Sequence, residues 1–405
     1  MEHPWITFDV DLKRMSASFW MLLGEARSKC SHLARVPLPK TYADQLHIVS
    51  LAKGAHATTA IEGNTLSEDT VRAIVERRTV SASPEYQVRE VENVITAYNW
   101  VLGEIRDGHS PVLTPELIAD FNRMVLEGLE DLDVHVMPGQ LRTDPVVVGP
   151  YRAPDAAECE ALLARMCDWL NGSGFAGERH MRLPTAVIRA SMAHLYLAWI
   201  HPFGDGNGRT ARLCEYLVLV TSGVPTSAAH LISNHCNDTR DDYYRQLRYA
   251  SESGGDVSRF LEYCAEGFVS GLTGQLQFVY DRQVRLTWRE HVAEQVTGRD
   301  VEMRQRRSLI ANTLLGRGVV AKKDLPRLTP DLAAAYAACG PKTLTRDLNE
   351  LVGLDLIVER DGGFAAREDV LLNLLPLVVQ ELGDGTPVDP SGHVRVTPPI
   401  PGAER

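Results

Sequence analysis

The sequence predicts a mainly α-helical protein with a small β-hairpin near its middle and a three-helix module, closed by a second hairpin, toward its C-terminus. Three observations carry this expectation. Apolar residues recur at helical spacing through much of the first 110 positions. Gly139 to Tyr151 (GQLRTDPVVVGPY) is instead rich in β-branched residues and fenced by glycines and prolines, and Asp361-Gly362-Gly363 separates two short extended runs. With 405 residues, 44% apolar and 23% charged, the chain falls among folded globular proteins, which excludes wholesale disorder and fibrous repeats. At about 150 residues per domain the length fits two or three domains.

In chain order, residues 1–110 read as an N-terminal helical region. One periodic stretch runs from Tyr42 to Glu62 and is stopped by Gly63-Asn64; another runs from Glu85 to Glu104 and ends before Gly108-His109-Ser110-Pro111, a domain boundary. Thr114 is placed to cap a new helix with Pro115 at its first position, running to about Leu129. The hairpin at 139–151 follows, then helices near 155–170 and 184–200, a glycine-dense loop, and a helix near 208–222. Asp241 to Ser253 and Asp256 to about Val296 are helical, the second with a break at Gly271 or Gly274. These elements define a central domain at 111–298.

Residues 299–382 hold three helical stretches and then the hairpin around Asp361-Gly362-Gly363, the order of a winged helix-turn-helix. The apolar run VLLNLLPLVVQEL from Val370 is about a dozen residues, interrupted by Asn373 and Pro376, and reads as a packed helix; residues 383–405, rich in Pro, Gly and charge, read as a disordered tail. Between 300 and 369 there are 11 Lys/Arg and 11 Asp/Glu, whereas the whole chain carries −11. The acidic surface disfavours nucleic acid and anionic lipid, so a phosphate site must be local. On the candidate recognition helix Lys342 and Arg346 could meet DNA phosphates, yet Asp347 and Glu350 follow at once, which favours protein docking or homodimerisation over DNA contact. Seven scattered cysteines without a C-x-x-C pair, together with the lack of a long apolar stretch, suggest a reduced, cytoplasmic, membrane-free protein.

Ala198 to Arg212 (AWIHPFGDGNGRTAR) is the chemically informative segment. Pro202 disfavours helix at His201, so the preceding helix ends at Ile200 and presents an imidazole beside a loop. Gly204, Gly206 and Gly208 let successive amides turn into one anion-binding hollow ahead of a helix, and Arg209 and Arg212, three apart, reach back toward it. Asp205 in such a site calls for an intervening cation, and Mg²⁺ shared with phosphate oxygens supplies one. His201 titrates near neutrality and can take a proton from an attacking hydroxyl, so the chemistry indicated is nucleotidyl or phosphoryl transfer. A dinucleotide fold is excluded because a helix precedes the glycines, and a P-loop because no Lys-Ser/Thr follows them.

His201 to Arg212 match the H-x-F-x-(D/E)-G-N-G-R-x-x-R signature of Fic-domain proteins, and the segment resembles that family. The resemblance implies a helical core that transfers AMP from ATP to a Ser, Thr or Tyr hydroxyl of a protein, releasing pyrophosphate. It further implies His201 as general base, Asp205 as Mg²⁺ ligand, Gly204 and Gly206 to Gly208 as the phosphate-binding loop with Asn207 at the α-phosphate, and Arg209 and Arg212 as clamps. Phe203 would anchor the loop in the core. The hairpin at 139–151 is similar to the family's flap, which pairs with the target backbone, and Tyr243 or Tyr244 would lie near the adenine.

Upstream, Thr58 to Asn64 (TTAIEGN) resembles the family's (S/T)-x-x-x-E-(G/N) inhibitory pattern. The resemblance implies that Glu62 pairs with Arg212 in the place of the ATP γ-phosphate, since a carboxylate competes with phosphate for the same guanidinium donors. Glu62 could also orient a water for AMP removal. The competing reading is a DNA-binding regulator whose nucleotide site only senses; such a sensor would need the glycines and arginines but not His201. His194 and His230, at no metal-binding spacing, are read as structural.

Overall fold

The computed structural model describes residues 3–80, 83–130, 132–175 and 180–372, so the tail expected at 383–405 and most of the apolar run from Val370 lie outside the described residues. By its contacts the chain divides into Met1–Leu276 and Gln277–Arg405.

The first unit contains α1 (Ala17–Leu33), α2 (Lys40–Ala60), α3 (Glu68–Val75), α4 (Glu85–Arg106), α5 (Pro115–Leu126), a hairpin of β1 (Val147–Val148) and β2 (Tyr151–Arg152), α6 (Cys159–Asn171), α7 (Arg182–Ile200), α8 (Asn207–Thr221), α9 (Leu231–Asp238), α10 (Arg240–Glu252) and the start of α11 (Ser258–Gln295). At its centre α7 packs along α8. Fourteen of the 19 residues of α7 and 13 of the 15 of α8 are buried, the pattern of helices covered on all sides rather than along one stripe. α2, α4, α5 and α9 close around this pair from the α8 and α2 side, while α1 and α6 lie on α7.

Local signals account for most boundaries. Thr114 Oγ1 accepts from the Leu117 amide at 3.2 Å with Pro115 at the first helical position. α2 stops at Ala60, because Gly63 adopts φ +103° and the Asn64 amide returns to the Thr59 carbonyl at 3.1 Å, so Glu62 sits in the terminating turn instead of the helix. The hairpin is shorter than expected: only Val147–Arg152 and Val148–Tyr151 are paired, and Leu141 forms an isolated bridge with Phe203. The expected break in α11 is absent. A Cβ at Gly271 would strike Leu231 and one at Gly267 would strike His235, so these glycines admit α9 at close range without interrupting the helix.

The second unit continues α11 and adds α12 (Val301–Leu314), β3 (Val320–Ala321), α13 (Pro330–Ala337), α14 (Pro341–Gly353), β4 (Ile357–Arg360), β5 (Gly363–Ala366) and α15 (Asp369–Leu372). Its antiparallel sheet has the order β3-β5-β4. Asp361 and Gly362, both at positive φ (50° and 73°), form the mirror-type turn that suits a two-residue hairpin. Trp288, Ile310, Leu314, Leu348, Leu351 and Phe364 share one apolar core. Asp347 is buried between Arg306 and Arg307 and accepts from the Tyr336 hydroxyl, so its charge is neutralised internally and does not face a ligand on α14. No helix of the described residues is long and apolar enough to cross a membrane. All seven cysteines are free thiols.

Candidate functional site

α7 ends at Ile200, and His201 leaves it in the left-handed conformation (φ 47°, ψ 59°), the position where Pro202 prevents another helical turn. Its carbonyl accepts from Arg142 Nε at 2.8 Å. The remaining Arg142 nitrogens donate to Asp144 O (2.8 Å) and Pro154 O (2.5 Å), and the Arg142 amide donates to Pro202 O, so one buried arginine ties the approach to the hairpin to the His201 loop. Burial pushes the His201 imidazole below its usual range; a hydrogen bond to Ala198 and the carboxylates of Glu62 and Asp205 only partly offset this. The ring is therefore neutral at pH 7 and able to accept a proton.

Phe203 is 1% exposed and anchors the loop, as the resemblance implied. Asn207 folds back on it: Oδ1 accepts from the Phe203 amide at 2.9 Å and Nδ2 donates to the Phe203 carbonyl at 2.8 Å. Both ends of its amide thus brace the loop. Gly206 takes φ +74°, and a Cβ there would meet Asn122 and Leu126; Asn122 Nδ2 also donates to the Asp205 carbonyl at 2.9 Å. No side chain caps α8, which leaves the first amides of that buried helix available to an anion. Asp205 Oδ1 accepts from the Gly206 amide and from Arg209 Nη2, while Oδ2 accepts no hydrogen bond among the described residues and the side chain is 43% exposed.

The two arginines differ. Arg212 is wholly buried; Nη2 donates to Thr58 O at 2.9 Å and to Glu62 Oε1 at 2.5 Å, while Nε and Nη1 have no partner among the described residues. Burial pushes the Glu62 carboxyl up, but Arg212 outweighs it by charge and hydrogen bonding, so the group lies below the usual carboxylate range. That carboxylate stands directly over Gly208, where any Cβ would collide with it. Arg209 faces away from this point: Nη1 donates to the buried Glu90 Oε1 at 2.6 Å and Nη2 to Asp205 Oδ1 at 3.2 Å.

His201, Glu62, Asn207, Gly208, Tyr243 and Tyr244 line one cavity of about 1170 Å³, together with Val148 and Tyr151 of the hairpin. Gly204, Asp205, Gly206, Arg209 and Arg212 do not line it. Tyr243 is 3% exposed and its hydroxyl meets His194 Nε2 at 2.9 Å; His194 Nδ1 meets Glu215 Oε2 at 2.7 Å, and Ser233 Oγ donates to Glu215 Oε1 at 3.0 Å. Tyr244 is 42% exposed. The Ile61 carbonyl beside Glu62 accepts from Arg240 Nη2 at 2.6 Å. His230 lies buried against Tyr216 and Tyr98, and burial lowers its pKa to about 3.

Sequence reasoning missed Glu90, Arg142 and Asn122. Only Glu90 left a signal: it shares the 90, 94, 97, 101 spacing with Val94, Ala97 and Val101, a carboxylate on the buried stripe of α4. The N-terminal segment was missed as well, for His3 Nε2 bonds Arg152 O at 2.7 Å and both His3 and Trp5 line the cavity. No group of three or more His, Cys, Asp or Glu that could hold a metal occurs among the described residues. One half-exposed carboxylate beside an anion hollow fits a divalent cation that arrives with phosphate oxygens, and does not fit a metal held by the protein alone.

Residues 112–219 match the sequence model of the Fic/DOC family. The protein adenylyltransferase fic-1 of Caenorhabditis briggsae is 34% identical over 212 residues, and that of Caenorhabditis elegans 32% over 212 residues; each alignment covers 52% of this chain and 38% of the relative. The chain thus spans under two-fifths of the length of these curated relatives. Among solved structures, a Fic family protein from Desulfovibrio desulfuricans G20 is similar with a TM-score of 0.55 at 20% identity, covering 86% of this chain and 93% of that one. Fic-1 of Caenorhabditis elegans gives 0.53 at 23% identity, over 65% and 73%. These two likenesses speak to the fold.

Proposed function

We propose that this chain is a protein adenylyltransferase that moves AMP from ATP to a Ser, Thr or Tyr hydroxyl of a target protein and is held in check by Glu62. One observation carries the reading: a neutral imidazole, the uncapped start of α8, and a carboxylate paired to Arg212 over Gly208 lie together at one cavity. The relatives named protein adenylyltransferases support the enzyme over a nucleotide-sensing regulator.

The α8 amides hold the ATP phosphates, and His201 takes the proton of the incoming hydroxyl. Its oxygen bonds to the α-phosphorus, the bond to the bridging oxygen breaks, and pyrophosphate leaves. Asp205 would hold Mg²⁺ through its free oxygen; when bound, that cation neutralises the phosphate charge. Val147 and Val148, 63% and 43% exposed, offer the target backbone an apolar strand edge. Glu62 occupies the donors on Arg212 that a terminal phosphate needs, so ATP binds out of line until the turn at 61–63 moves. Glu62 is also close enough to the site to orient a water for AMP removal.

The helix–strand–helix–helix–strand–strand order of the second unit supports a winged helix-turn-helix, used for protein docking or homodimerisation. The free thiols support a cytoplasmic location. The test is transfer from labelled ATP with Mg²⁺ by wild type, His201→Ala and Glu62→Gly. Label that needs His201 and rises in Glu62→Gly is expected; labelling indifferent to His201 refutes the reading.

A further inference from the structure

α4 lies outside the residues that match the family model, yet it sends one carboxylate to the catalytic loop. We propose that Glu90 is a positioning residue: it fixes Arg209, which in turn fixes one oxygen of Asp205 and leaves the other to a phosphate-borne cation. The inference rests on the proposed transfer reaction and names a residue that shapes it.

Glu90 is 5% exposed and Arg209 3%. An ion pair so far from water stabilises little relative to an apolar pair of the same shape, so stability alone is weak grounds for its presence. Its geometry is directional. The guanidinium spans two carboxylates, with Nη1 on Glu90 at 2.6 Å and Nη2 on Asp205 at 3.2 Å. Asp205 Oδ1 is engaged a second time by the Gly206 amide, so its carboxylate is held from two sides with Oδ2 turned free. Neither arginine lines the cavity, but Arg212 is paired to Glu62, which does, whereas the charge of Arg209 acts on Asp205. Glu90 Oε2 accepts from Asn64 Nδ2 at 2.9 Å, and Asn64 also donates to Gln87 O. Asn64 follows Gly63 in the turn that carries Glu62. The inhibitory turn and the cation carboxylate are therefore joined through Glu90, in three consecutive contacts.

The experiment is calorimetric titration of ATP, with Mg²⁺ and with EDTA, into the Glu62→Gly protein and the same protein carrying Glu90→Gln. Loss of a charge-assisted contact corresponds to about tenfold in affinity, so Mg²⁺ should tighten ATP by about tenfold in the parent and hardly at all in Glu90→Gln, with the EDTA affinity unchanged. Asp205→Asn should act alike, and adding Glu90→Gln to it should change nothing more. In transfer assays with Mg²⁺ Glu90→Gln should raise the KM for ATP by about the same tenfold, lowering kcat/KM accordingly. A full Mg²⁺ effect in Glu90→Gln, losses that add to those of Asp205→Asn, or no Mg²⁺ effect in the parent would each overturn the proposal. If Glu90→Gln does not fold, Arg209→Lys, which keeps the charge but cannot span both carboxylates, is measured and judged the same way. Because calorimetry needs no turnover, a parent that binds MgATP as expected yet transfers nothing refutes the adenylyltransferase reading and leaves the Glu90 contact standing.

Discussion

Replacing Glu62 by glycine should leave two linked signatures. In the resting protein the carboxylate sits 2.5 Å from a guanidinium that is itself wholly buried, while Glu62 is 32% exposed. A hydrogen bond to a charged partner contributes about 1.5–3 kcal/mol, and partial exposure places this one near about 2 kcal/mol. Glu62→Gly strands Arg212 with Thr58 O as its remaining partner and two unpaired nitrogens, so the apo protein should lose about 2 kcal/mol, or about 4–8 °C in Tm. The same quantity returns when a γ-phosphate takes the vacated donors. ATP should then bind about 30-fold more tightly, at 1.36 kcal/mol per tenfold, and transfer should rise by about 10- to 100-fold. Differential scanning fluorimetry with and without MgATP, alongside label transfer, measures both. An apo Tm equal to wild type, combined with unchanged nucleotide affinity, would refute the placement of Glu62 on Arg212.

His201→Ala should abolish transfer while leaving MgATP affinity within about threefold, because the imidazole meets the hydroxyl and not the phosphates; calorimetry beside the transfer assay checks this. Burial lowers the His201 pKa, so in Glu62→Gly the acid limb of the kcat profile should have its midpoint below 6.5, with the rate falling as pH drops through it. Glu62 has a depressed folded-state pKa, so its pairing contributes fully above the carboxylate's unfolded value of 4.5 and fades only as pH falls through the lower folded one; wild type should remain inhibited across pH 5–8. Arg142→Lys cannot reach His201 O, Asp144 O and Pro154 O together, and should cost about 3 kcal/mol in chemical denaturation and at least about tenfold in kcat. Retention of wild-type kcat in folded Arg142→Lys would refute its hold on the loop.

The loop from His201 to Arg212 was legible because its constraints are local. Pro202 ends a helix, Gly206 accepts a positive φ and Phe203 seeks the core, each decided within a few residues. The C-terminal turn at Asp361-Gly362 was legible for the same reason. Glu90 and Arg142 were opaque because their roles depend on partners 119 and 59 positions away, and sequence spacing on one helix carries no record of such distances. Arg209 illustrates the limit. Its three-residue spacing from Arg212 places both on one side of α8, yet a carboxylate from α4 turns it from the cavity toward Asp205. The break expected in α11 failed for a related reason, since a glycine that ends an exposed helix can, in a packed one, mark where α9 comes close.

The most direct test compares ATP labelled at the α-phosphate with ATP labelled at the γ-phosphate, each given with Mg²⁺ to Glu62→Gly in the presence of lysate proteins. Attack at the α-phosphorus predicts stable protein label from the first, none from the second, and loss of the α label in the His201→Ala background. Protein labelled from the γ position would contradict the account, because the hydroxyl would then have been directed to the other end of the triphosphate.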